Sequence, residues 1–134
     1  MDFVIGKCPC CSGKSYFECC GRFISGQHTP TTPEELMRSR YTAYAEANID
    51  YVLRTMKGPA AKDFDVETTT EWAKRVKFSK LDVKKSSVKK DKATVEFIAH
   101  FTENGESRAI HELSDFRKEN GIWFYFDGKK PARR

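Results

Sequence analysis

Five cysteines stand in this chain, and all of them fall within thirteen residues: Cys8, Cys10, Cys11, Cys19 and Cys20. The 114 residues that follow contain none. Buried structural cysteines scatter through a core, so packing does not explain a run such as C-P-C-C-S-G-K-S-Y-F-E-C-C-G. Convergence of several thiolates on one metal ion does. Zinc bound by thiolates is tetrahedral, and a structural site is closed by four protein ligands. The spacing predicts two arms, Cys8 with Cys10 and Cys19 with Cys20, joined by a loop over Cys11 to Glu18. Ser12-Gly13 supplies the turn, and Pro9 limits the unbound states of the first arm. Adjacent Cys19 and Cys20 diverge, so both reach one ion only if the backbone wraps around it. Disulfides would leave one cysteine over, and Cys8 to Cys11 has the Cys-x-x-Cys spacing of a redox pair. On these residues alone Cys11 is an alternative to Cys10 as ligand, or a free thiol beside Lys14.

At 134 residues the chain has room for one compact domain or a small domain with an appendage. Ten Phe, five Tyr and two Trp provide for an aromatic core. No apolar run approaches the ~20 residues of a bilayer span, and M-D-F-V-I-G-K lacks the pattern of a signal peptide. The expectation is a cytoplasmic protein without membrane insertion, in which clustered thiols stay reduced and bind metal. The net charge of +5 is concentrated. Nine Lys/Arg lie between Lys74 and Lys92 against Asp82 and Asp91, and the tail from Lys129 to Arg134 adds four. A solvated strand face accounts for this; an anionic partner such as RNA or a ribosome is the sharper reading.

The segment C-P-C-x-S-G-K-x-Y-x-x-C-C-G resembles the SEC-C motif, the zinc-binding segment also found in the protein-translocation ATPase of the bacterial Sec pathway. The resemblance implies a structural Zn2+ on Cys8, Cys10, Cys19 and Cys20. The motif usually has Gly where this chain has Cys11, which makes Cys11 a non-ligand. It also implies contact with a protein partner through the zinc module, using Lys7, Lys14 and Arg22.

Beyond the linker-like Gly26 to Thr31, Thr32 is an N-cap, Pro33 the first helical residue, and Glu35 closes a capping box. Leu36, Met37, Tyr41, Tyr44 and Ala45 recur at helical spacing to about Ala47. A second helix is expected over Ile49 to Met56, stopped by Gly58-Pro59, and a third over Thr70 to Lys74. From Val76 the period becomes two. Strands are expected over Phe78 to Ser87 with a bulge, over Ala93 to Phe101, over Arg108 to Arg117 and over Ile122 to Phe126. Their turns fall at Lys89 to Lys92, Asn104-Gly105 and Asn120-Gly121. Helices followed by an antiparallel meander imply an α+β domain, helices covering one face of a curved sheet.

Pro33-Glu34-Glu35-Leu36-Met37-Arg38-Ser39-Arg40-Tyr41 resembles the P-E-x-L-M-R-S-R-Y segment of the YchJ-type family. Val95-Glu96-Phe97, His111-Glu112-x-Ser114-x-Phe116 and Trp123-x-Tyr125-x-Asp127-Gly128 agree with it. The resemblance implies a nuclear transport factor 2-like cone over residues 27–134 behind a SEC-C module over residues 1–26. Such cones often enclose a pocket. By alternation Glu112, Ser114, Tyr125 and Asp127 are expected to line it, with His111 or Glu112 as proton-transfer candidates. Against this stands a structural network, with Glu112 paired to Arg38 or Arg40 and with Trp123 and Tyr125 as core aromatics. The chain therefore reads as a zinc-stabilised adaptor rather than an enzyme, with a ligand-binding cone and RNA binding as alternatives. Cones of this kind also form homodimers.

Overall fold

Thr32 accepts a hydrogen bond from the Glu35 amide at 3.1 Å, and Pro33 opens the longest helix of the molecule. Glu35 completes only half of a capping box. Its carboxylate accepts from the amide and hydroxyl of Thr31 instead of from Thr32. The computed structural model describes residues 7–131. Expectations for the first six residues and for the end of the basic tail lie outside them.

Among the described residues five α-helices precede four strands: α1 (Cys20–Ile24), α2 (Pro33–Ala45), α3 (Ile49–Arg54), α4 (Pro59–Lys62) and α5 (Val66–Arg75), then β1 (Lys77–Lys89), β2 (Lys92–Glu103), β3 (Glu106–Glu119) and β4 (Ile122–Lys129). Asn48, expected as an interruption, caps α3 by accepting from the Tyr51 amide. That helix ends at Arg54, before Met56. Gly58-Pro59 begins α4, where a helix stop was expected, because Pro is suited to the first helical position. The helix around Trp72 is longer than periodicity indicates, since Asp65 caps it by accepting from the Thr68 amide.

The strands form an antiparallel meander in the order β1-β2-β3-β4. Asn104 and Gly105, and likewise Asn120 and Gly121, take positive φ, the geometry of tight hairpins. Ala93, Val95, Phe97, Ala99 and Phe101 are buried on one face of β2, as their alternation predicts. The bulge expected in β1 lies between Phe78 and Lys80 and brings Phe78 and Leu81 onto the covered face. At the other edge, Tyr125 receives a bond from Lys57 N–H and donates to Thr55 C=O, both at 2.9 Å. A short parallel bridge thus occupies the outer side of β4. Helix α2 lies against the covered face of the sheet. None of the helices among the described residues is long and apolar enough to cross a membrane.

Candidate metal centre and cone cavity

The first cysteine arm is a tight reversal. Lys7 bridges Ser15, the Cys8 amide donates to Lys14 C=O at 2.9 Å, and the Cys11 amide donates to Cys8 C=O. Cys11 has φ 66, in the left-handed region, and its side chain is exposed. This is the position at which the SEC-C resemblance carries glycine, and left-handed φ is where glycine has no steric cost. The second arm is a 3-10 turn, Tyr16–Glu18, followed directly by α1. Cys19 sits at the junction with φ −128 and ψ −113. That break in direction brings two adjacent thiols to one centre.

The Sγ atoms of Cys8, Cys10, Cys19 and Cys20 lie within 4.8 Å of one another, and all four residues are buried. Cys10 and Cys19 are 3.6 Å apart and Cys19 and Cys20 3.9 Å apart. Four bonds of about 2.3 Å at tetrahedral angles place sulfur atoms roughly 3.8 Å from each other, so the donor set fits a closed thiolate site. The protons of this cluster are unequally shared. Contacts with Cys10 and Cys8, and then burial, push Cys20 far above the thiol range, while contacts with Cys10 and Cys20 pull Cys8 far below it. The Cys8 thiolate forms at the expense of those of Cys10 and Cys20, an imbalance that a bound cation would offset.

Outer contacts hold the sulfurs in place. Ser12 Oγ is 3.2 Å from Cys19 Sγ, and Thr42 Oγ1, from α2, is 3.6 Å from Cys8 Sγ. Lys7 and Arg22 are tied to the carbonyls of Gly13 and Cys19. The cation nearest the first arm, Arg38, was not read from the sequence as part of this site. Its Nη1 donates to Cys10 C=O at 2.7 Å and its Nε to Glu34 at 3.0 Å. The signal for it was an arginine one turn along α2 from Glu34.

The second site is a cavity of about 450 Å³ between α2, α5 and the covered face of the sheet. Met37, Tyr44, Trp72, Phe78, Phe97 and Phe116 contribute apolar wall; Arg40, Glu112, Ser114 and Tyr125 contribute polar groups. Glu112 accepts from Ser114 Oγ at 2.6 Å and from Tyr125 OH at 2.8 Å. Burial, followed by the charge of Glu112, raises the Tyr125 hydroxyl above the ordinary phenol range, so it remains a donor. Glu112 pairs with neither Arg38 nor Arg40. Arg40 instead stacks 4.3 Å above the Tyr125 ring and donates to Val52 C=O and Thr55 Oγ1.

Two residues expected at this pocket lie elsewhere. His111 points to the other face of β3 and meets Glu96 at 2.7 Å. Asp127 is turned away by a register shift. Phe116 pairs with Tyr125 but Asp115 pairs with Asp127, so one extra residue on β4 reverses the alternation. Its carboxylate accepts from the Gly128 amide. Helices α2 and α5 contribute lining residues that the strand pattern did not indicate, among them Arg40, Tyr44, Glu71, Trp72 and Arg75. Met37, Arg40 and Tyr44 follow helical spacing, and a charged residue within that apolar stripe was the available signal.

Residues 32–128 match the family described as YchJ, middle NTF2-like domain. The chain belongs to the YchJ family. UPF0225 protein GSU1048 of Geobacter sulfurreducens is 40% identical over 124 residues, covering 90% of this chain and 77% of that protein. Among solved structures, RPA3114, a SEC-C motif containing protein from Rhodopseudomonas palustris, aligns with a TM-score of 0.87 at 38% identity over 94% of this chain and 99% of that one. A SEC-C motif containing protein from Psychrobacter arcticus aligns with a TM-score of 0.81 at 27% identity, over 100% and 88%. The YchJ chain thus joins an NTF2-like domain of helices on a four-stranded antiparallel sheet to an N-terminal cysteine cluster.

Proposed function

We propose that this protein is a zinc-stapled binding protein. A structural Zn2+ on Cys8, Cys10, Cys19 and Cys20 fixes the N-terminal segment against α2, and the cone beside it takes a small organic molecule without transforming it. The cavity carries the reading: a volume of about 450 Å³, whose lining combines seven aromatic residues with polar groups such as Arg40, Glu112 and Ser114, falls within the range of ligand sites. Four thiolates leave no open coordination position, so the metal supplies folding energy rather than an activated water. Exposed Phe17, on the turn between the cysteine arms, favours a second reading in which the module contacts a protein partner.

Metal analysis of the purified chain tests the first half. One zinc per chain is expected, retained in Cys11→Gly and lost in Cys10→Ser; a metal-free chain, or loss in Cys11→Gly, contradicts the assignment. For the cavity, the tryptophan fluorescence of the protein, to which Trp72 in the wall and Trp123 both contribute, is titrated with flat aromatic probes. Saturable binding to one site that Ala99→Leu blocks is expected, because Ala99 lines the wall. A titration in which no such probe binds removes the reading.

A further inference from the structure

The cavity contains a buried cation, Arg40, on which the charge of Glu112 acts without a hydrogen bond or ion pair between the two. Arg40 is only 5% exposed, yet it forms no ion pair among the described residues. Both of its hydrogen bonds to protein, to Val52 C=O at 2.7 Å and Thr55 Oγ1 at 2.8 Å, leave from Nη1. Nε and Nη2 have no acceptor among the described residues, on a side chain that lines the cavity. Burying an arginine is costly unless its charge and its donors are matched, and the Nε–Nη2 edge is the fork that binds a carboxylate through two parallel bonds. The rest of the fold shows what matching looks like. Arg38, Arg54 and Arg75 each meet a carboxylate within 3.2 Å.

We infer that the cone binds a flat, apolar monocarboxylate, its carboxylate on the free edge of Arg40 and its body between the aromatic walls. The inference rests on the cavity reading above and names its ligand. Tyr44, Trp72, Phe97 and Phe116 provide the surface for a planar body. Glu112 limits the charge to one, since Arg75, the other cation of the lining, is already paired with Glu103 and Glu71 adds a second carboxylate. Glu112 sits at the hydroxyl end of Tyr125, while Arg40 lies over the face of the same ring. A second negative group on the ligand would approach that carboxylate.

The test compares 2-naphthoate with its neutral isostere 2-naphthamide, by calorimetry on the full-length, zinc-loaded protein. Naphthoate is expected to bind at least tenfold more tightly, and a naphthalene dicarboxylate more weakly than naphthoate. In Arg40→Met the ratio between the two probes should collapse towards one, and each variant carries its own control in that ratio. If the variant does not fold, the wild-type ratio decides alone. Equal binding of acid and amide, or a preference that survives Arg40→Met, overturns the carboxylate assignment and leaves the cavity as a neutral binding site. Binding of neither probe defeats the cavity reading itself.

Discussion

At Cys11 the backbone φ of 66 explains a sequence departure that chemistry alone leaves open. A side chain here carries the cost of a left-handed conformation, and its sulfur points away from the centre that the other four share. On the uncovered face of the sheet, local contacts set ionisation instead. His100 Nε2 lies 3.1 Å from Asp82 and holds its carboxyl below the usual range, with Lys80 and Lys84 adding to the effect. A folded value below the unfolded one means that the contribution to stability is present above the unfolded pKa. It is lost as pH falls through the folded value. Replacing His100 by Ala should raise the Asp82 pKa towards that of a free carboxylate, as followed by carboxyl NMR titration. An unmoved Asp82 would assign the shift to the lysines.

Among the elements, α4 depends on one residue. Gly58 has φ 70, and a Cβ there would stand 2.5 Å from Phe126 Cε1, so neither the conformation nor the space admits a side chain. The same segment supplies the Thr55 and Lys57 bonds that cover the outer side of β4 at Tyr125. Gly58→Ala should therefore destabilise the fold by roughly 1–3 kcal/mol, read by denaturant unfolding. It should also weaken probe binding, because Tyr125 lines the cavity. A neutral effect on stability would show that Phe126 moves aside. Arg40 occupies a comparable position on α2, since its Nη1 bonds tie that helix to the end of α3 while the same residue lines the cavity.

Across the molecule, the four buried cysteines belong to the same apolar cluster as Leu36, Met37 and Val95. Tyr16 reaches Glu46, Arg38 reaches Cys10 C=O and Arg54 reaches Ile24 C=O, so the segment around the cysteine cluster is bound to α2 and α3 by polar contacts as well. A zinc ion that binds only the folded arrangement stabilises whatever folds cooperatively with it. Chelator treatment should consequently lower the midpoint of the whole thermal transition, with sheet and helix signals moving together. A cone transition left in place after chelation would show that the two parts fold independently.

The cysteine spacing, the Thr32-Pro33 start of α2, the alternation along β2 and the two Asn-Gly turns were legible because each depends on a few neighbouring residues. Capping, periodicity 2 or 3.6 and turn chemistry are local physics. Asp127 was not legible in the same way, whereas the alternation that turns Glu112 and Ser114 inward already carries His111 to the other face of β3. Whether alternation carries a side chain inward at Asp127 depends on one extra residue opposite β3, a matter of register between strands. The partner of Arg40 was equally out of reach, because the Tyr125 ring meets it only when β4 closes against α2. The sequence by itself determined α2, α3, the four strands, the family resemblance and a set of candidate metal ligands, but not α1 or α4. Only the tertiary structure decided which polar groups line the cavity and which cation there forms no ion pair among the described residues, since both follow from contacts between residues far apart in the chain.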